Sequence, residues 1–170
     1  EKEKFNSKLD SLSNELLAKA NTLSNSSIVE LEKARIGYFV KGLKVNYPEY
    51  NAYYNNVEFN ADSADYFALE GLDLNNGHHL MFSDYSALVS KTIENKFAKE
   101  NDAKAIEAMS AIDKITKMFA LIDANVTNVE VRDYLKQNAF MEDLSYGEFW
   151  KLNDLVNKFV AECQTVGYKN

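Results

Sequence analysis

The stretch AIEAMSAIDKITKMFALI, Ala105 to Ile122, decides the fold class. Its residues Ala105, Ala108, Ile112, Ile115, Phe119 and Ile122 recur at steps of three and four. Only an α-helix turns that spacing into one continuous apolar stripe. The spacing predicts a helix over 102–123.

The same rhythm extends outward in both directions. Phe5, Leu9, Leu12, Leu16, Ala20 and Leu23 make a stripe near the start, broken by the Ser/Asn-rich run Asn21 to Ser27. Ser27 and Glu30 have the spacing of a capping box, which predicts a second helix from Ile28 carrying Leu31, Ile36, Phe39 and Leu43. Its end, Ile36 to Val45, is apolar nearly all round and holds Gly37 and Gly42, so a short strand is an alternative there. Ser83 reads as the start of a helix with Tyr85, Leu88, Val89, Ile93 and Phe97 inward. Thr127 with Glu130 and Ser145 with Glu148 are further capping boxes. The last opens a helix over 146–165 with the seam Phe149, Leu152, Val156, Phe159, Cys163 and Val166, closed by Gly167. Trp150 is expected to anchor its packing.

Breakers are scarce, with one proline and six glycines in 170 residues, which favours long helices. The expected fold is all-α: an antiparallel bundle of about five to seven helices in one domain, 1–170. An irregular, acidic, aromatic-rich segment, about 46–82, interrupts it. Pro48 is placed to open a short helix bearing Tyr50, Tyr53 and Tyr54. Asp62 to Leu69 reads as another, closed near Gly71, and Asp73 to Gly77 as a turn.

Charge is concentrated in that segment. From Val45 to Ser90 there is no Lys or Arg, but there are seven acids, Glu49, Glu58, Asp62, Asp65, Glu70, Asp73 and Asp84. Acids and bases elsewhere balance, so the net charge of −7 belongs to this stretch. Such a field repels phosphate backbones and attracts cations, which argues against nucleic acid and for a basic protein surface. Nine of the twenty Phe and Tyr residues lie here too. One reading makes them anchors of a binding surface; the other makes them a second core layer beneath a long connection. The candidate binding residues are Tyr47, Tyr50, Tyr53, Tyr54, Glu58, Asp62, Asp65, Tyr66 and Glu70.

His78 and His79, with Asp73 and Asp84 near them in sequence, are the only candidate metal ligands. Adjacent histidines rarely reach one ion together, and the chelating i, i+4 spacing is absent. Asp73 to Asp84 also has the length of a calcium loop, but glycine falls fifth rather than sixth and Met81 stands ninth. No metal or cofactor is expected.

No Gly-x-Ser-x-Gly, phosphate-cradling glycine loop or Cys-x-x-Cys occurs. Cys163, the only cysteine, sits on an apolar seam and reads as buried packing. Arg35 and Arg132 are too few for a phosphate-reading site. The sequence therefore reads as a non-enzymatic helical domain that binds a protein partner. The alternatives are a cytoplasmic inhibitor or chaperone of a basic protein, and a small-molecule binder with a Tyr-lined pocket. No apolar run is long enough for a membrane span. The polar Ser/Asn-rich start resembles the mature end of an exported or surface-anchored protein, so export, with a lipid anchor upstream of residue 1, is the expected setting over the cytoplasm.

Overall fold

The computed structural model describes residues 1–59, 63–146 and 149–168. Its α-helices are α1 (Lys2–Ala20), α2 (Ser26–Tyr54), α3 (Ser83–Glu100), α4 (Ala103–Ala108), α5 (Ala111–Asn125), α6 (Val129–Tyr146) and α7 (Asn153–Glu162). Short 3-10 helices cover Ser63–Leu69, Gly77–Met81, Phe149–Leu152 and Val166–Tyr168. The fold is all-α with antiparallel contacts between consecutive helices, and no strand occurs among the described residues. The apolar stretch Ile36 to Val45 is helical throughout. No helix among the described residues is long and apolar enough to cross a membrane.

The chain forms two compact units. The first comprises Glu1–Leu72 and Met81–Leu88. Its helices α1 and α2 pack together, burying Leu9, Ala20, Ile36 and Val40, with Phe5, Leu16, Leu17 and Leu43 partly buried against them. Helix α2 starts two residues before the expected Ile28, because Asn25 accepts from the amides of Ser27 (3.0 Å) and Ile28 (3.2 Å). Asn is as good an N-cap as Ser, and it comes first in the chain. Of the residues expected inward, Ile36 is buried and Leu43 partly so, but Ile28, Leu31 and Phe39 are exposed, and Val40, Val45 and Ala52 are buried in their place.

Pro48 does not open a new helix. It lies inside α2, which runs 29 residues without interruption. A second cluster, Val45, Leu69 and Leu88 with Tyr38 and Tyr66 against it, seats the 3-10 helix Ser63–Leu69 beside α2. Lys41 donates to the carbonyl of Ala68 at 2.6 Å. Burial first, and then the charge of Lys44, pushes the Lys41 ammonium below its ordinary value. The segment leaves this cluster through Gly71 at φ +70°, a left-handed conformation suited to glycine.

The second unit comprises Asp73–Leu80 and Val89–Asn170. Its core gathers Ile115, Phe119, Phe140, Leu152, Phe159 and Cys163. Phe140 meets Phe119 and Phe159 edge-on, with ring centroids 5.1 and 5.4 Å apart, a favoured aromatic geometry. The stripe quoted first is divided between two helices. Ser110 caps α5 by accepting from the Asp113 amide at 3.2 Å, while its hydroxyl donates to the Asp113 carboxylate at 2.7 Å. Met109 is consequently extended, and the single helix expected over 102–123 becomes α4 and α5.

Helix α6 is capped by Asn128, whose side chain accepts from the Val131 amide at 3.1 Å, rather than by Thr127. The Thr127 amide and hydroxyl turn instead to Asn75 Oδ1, at 2.6 and 2.9 Å, and the Asn128 amide joins them at 3.0 Å. Glu148 lies outside the described residues, and Ser145 falls in the last turn of α6, not ahead of a helix. The final helix, α7, ends at Glu162. Val166 is exposed, and Gly167 falls within a 3-10 turn rather than at a helix end. Trp150 is 70% exposed, so it does not anchor this packing.

The chain after α7 is held by Asp133 of α6. This carboxylate, 2% exposed, accepts from the amides of Gln164 (2.9 Å) and Thr165 (2.8 Å). Burial opposes its charge, but the hydrogen bonds from Thr165 and Gln164 outweigh that and hold the carboxyl below its ordinary value. Beside it, Lys136 lies 2.8 Å from the Asp123 carboxylate and 5.1 Å from the centre of the Phe119 ring.

Two expectations follow for stability. A carboxyl with a depressed folded pKa stabilises the fold above the ordinary Asp value, about 3.9, and that contribution is lost as pH falls through the folded value. Asp133→Asn should therefore flatten the acid limb of stability measured by urea unfolding between about pH 5 and pH 2. The glycines should separate as well. A Cβ on Gly37 meets nothing within 4 Å, so Gly37→Ala should stabilise by about 0.5–1 kcal/mol. A Cβ on Gly77 would press on the Asn128 oxygen that caps α6, 2.9 Å away, while the exposed Glu130 can swing aside. Gly77→Ala should therefore destabilise by about 0.5–2 kcal/mol in the same assay, as the loss of a cap does.

Candidate functional site

The last turn of α2 ends in a Schellman motif. The Val57 amide donates to the Ala52 carbonyl at 3.0 Å and the Asn56 amide to the Tyr53 carbonyl at 3.2 Å. Asn56 takes the left-handed conformation this requires, at φ +51°, which Asn tolerates better than most side chains. The Asn55 side chain donates to the Asn51 carbonyl at 2.7 Å. This turn folds the chain back, so that Val57 and Phe59 join Tyr50, Tyr53 and Tyr54 around an open groove of about 530 Å³, with Glu49 and Ala52 completing it.

The rings here are in water. Tyr50 is 53% exposed, Tyr53 76% and Tyr54 79%. Tyr53 and Tyr54 meet edge-on at 5.4 Å. Glu49 and Glu58 are exposed beside them, and the last turn of α2 carries no basic residue. The negative end of the helix dipole therefore meets no Lys or Arg from its own last turn.

The other expected binding residues are placed differently. Tyr47 stacks on Phe5, with centroids 4.1 Å apart and planes 21° from parallel. Tyr66 packs on the Val45–Leu69–Leu88 cluster. Glu70 is exposed after the 3-10 helix Ser63–Leu69, Asp62 lies outside the described residues, and so does the side chain of Asp65. Tyr85 is fully buried and Phe82 partly so, with the Tyr38 ring 4.9 and 6.2 Å away. The rings of the aromatic segment thus divide: Tyr47, Tyr66, Phe82 and Tyr85 pack, whereas Tyr50, Tyr53, Tyr54 and Phe59 are exposed around the groove.

Val57 and Glu49 were not among the candidates read from sequence. The signal for Val57 is the Asn55-Asn56 pair after a tyrosine-bearing helix, which is left-handed turn chemistry.

Of the candidate metal ligands, Asp73, His78 and His79 belong to the second unit and Asp84 to the first. Among the described residues no three His, Cys, Asp or Glu come together to hold a metal ion. Asp73 accepts from the Asn75 amide at 2.8 Å, and Asn75 spends its oxygen on the start of α6. These two side chains thus build a loop anchor from the groups a calcium loop would need first and third. Cys163 is buried beside Phe159, its thiol 3.4 Å from the Thr165 carbonyl.

The chain matches no protein-family model, and neither the curated proteins nor the solved structures contain a match.

Removing rings should expose the two classes. Tyr53→Ala and Tyr54→Ala should leave urea stability within about 0.5 kcal/mol of the parent, as surface changes do. Tyr47→Ala and Tyr66→Ala should each lower it by about 1–3 kcal/mol, because a packed ring is lost.

Proposed function

We propose that this chain is a non-enzymatic binding domain, and that the groove at the end of α2 takes a Lys/Arg-bearing segment of a protein partner. The observation that supports this most is the group of three tyrosines, Tyr50, Tyr53 and Tyr54, held in water around the groove. Burying an apolar side chain against a partner is worth about 1.5–3 kcal/mol, and tyrosine adds contact area at small entropy cost.

Charge chooses the partner. The groove lies in the stretch without Lys or Arg, beside Glu49 and Glu58. It also lies at the negative end of a 29-residue helix. A cationic side chain there meets the carboxylates, the negative end of the helix dipole and the faces of the rings together. The groove is open rather than enclosed, which suits a chain segment better than a small ligand that must be wrapped on most sides. An inhibitor or chaperone of a basic protein would use the same surface.

The test is a titration of the labelled protein with a short peptide alternating Lys/Arg and Leu, followed by NMR, with an acidic peptide of equal length as control. Shifts should centre on residues 49–59. Tyr53→Ala/Tyr54→Ala should raise the Kd by about tenfold or more, in the range of an aromatic hot spot. Glu49→Gln/Glu58→Gln should slow association and reduce its salt dependence. Shifts scattered over the exposed acids Glu30 and Glu100, equal binding of the acidic peptide, or unchanged binding by the tyrosine variants would each defeat the proposal.

A further inference from the structure

The second unit holds a cavity of about 200 Å³ between α3, α5 and α6. Each helix turns residues at three- and four-residue spacing toward it, Ser90, Ile93 and Glu94 from α3 and Leu135, Asn138 and Ala139 from α6 among them. Its wall is apolar, from Ile93, Ile115, Met118, Ile122 and Leu135. Ser90 and Ala139 are small, and neither can fill the space between the helices.

The polar groups here are arranged differently from those of a packing void. Glu94 on α3 and Lys114 on α5 line the cavity from different helices. Neither side chain has an ion-pair or hydrogen-bond partner among the described residues, and they do not pair with each other. Glu94 is exposed and Lys114 half-buried, which places the charges toward the water side of an apolar pocket. Asn138 donates to the Ser90 hydroxyl at 3.4 Å, a long bond that a ligand group can replace at small cost.

We infer that this cavity is a binding site for a small zwitterion with an apolar side chain, that is, a free apolar α-amino acid. The side chain occupies the space walled by Ile93, Ile115, Met118, Ile122 and Leu135. The carboxylate faces Lys114 and the ammonium faces Glu94, with Ser90 and Asn138 supplying neutral hydrogen bonds. Size agrees with this class: a cavity of about 150 Å³ takes benzene, so this one has room for about eight or nine non-hydrogen atoms, as in leucine. A ligand with only one charge would leave the opposite rim group without a partner, and so gains less. The site shares no residue with the tyrosine groove and stands or falls separately from it.

The experiment is NMR titration of the whole chain with L-leucine, 3-methylbutanoate (no ammonium) and 3-methylbutylamine (no carboxylate). Leucine should shift the resonances of Ser90, Met118 and Asn138 saturably. Each single-charge analogue should bind about tenfold more weakly, as the loss of one charged hydrogen bond implies. Lys114→Met should weaken leucine without weakening the amine, and Glu94→Gln should weaken leucine without weakening the carboxylate. Neither side chain has a partner among the described residues, so both variants should fold with the parent's melting temperature. Ala139→Leu should fill the cavity and abolish the shifts. Absence of saturable leucine shifts would make the cavity a packing void only and overturn the inference. So would equal binding of leucine and its single-charge analogues, or charge variants that bind leucine as the parent does.

Discussion

Helix α2 carries a proline in its interior, and the first unit depends on the helix surviving it. Pro48 has no N–H to give the Lys44 carbonyl, and its ring crowds that carbonyl, an interior defect worth about 3 kcal/mol. Contacts on both sides of the defect hold the helix on course. Val45 is buried with Leu69 and Leu88, Tyr47 stacks on Phe5, and Ala52 is buried one turn beyond the proline. Because the helix continues, Tyr50, Tyr53 and Tyr54 stand on a rigid last turn instead of on a loop. A surface of this kind presents its rings on helical backbone that is already formed, so less backbone entropy is lost when a partner arrives.

In the second unit the corresponding constraint is the saturation of helix ends. The free amides at the start of α6 are met by Asn128 and by Asn75, more than fifty residues earlier in the chain. Asp133 does the same for the amides following α7. Each of these side chains is short and polar, and Asn75 and Asp133 each tie a distant stretch of backbone to a helix through two or more bonds at once. Gly77 belongs to the same arrangement, since its missing Cβ is what lets the Asn75 loop lie against Asn128 and Glu130. Asp73 and Asn75, first and third in a stretch with the length of a calcium loop, thus accept backbone amides and organise the loop around a helix terminus.

The helical class was legible because three-four spacing is a local property. Most stripes read from it supply buried residues, as with Tyr85, Leu88, Val89, Ile93 and Phe97 of α3. The ends were less legible because several candidate caps compete within a few residues. Asn25 stands ahead of Ser27, Asn128 takes the place of Thr127, and Ser110 with Asp113 forms a capping pair inside what otherwise reads as an unbroken stripe. At Ser110 the signal was present, since an acid three residues after a serine is the same pattern used elsewhere in the chain. The apolar rhythm on both sides of it concealed the break.

The candidate groove was half legible, and the reason is again Pro48. Once the helix is known to pass through it, Val45 and Ala52, two turns apart, define a buried face, and the tyrosines at 50, 53 and 54 must lie off that face. A break assumed at Pro48 removes this phase information, and the aromatic residues can then be assigned to core or surface only as a group. Tertiary contacts sort the remaining rings: Tyr47 by Phe5, Tyr66 by Leu69, and Tyr85 by Tyr38. Phe5 and Tyr38 lie 42 and 47 residues from the tyrosines they cover, separations that no periodicity in the sequence connects, whereas Leu69 is one 3-10 turn from Tyr66. Among the described residues no long-range ring partner covers Tyr50, Tyr53 and Tyr54, and these exposed rings are the area that the proposed partner would bury.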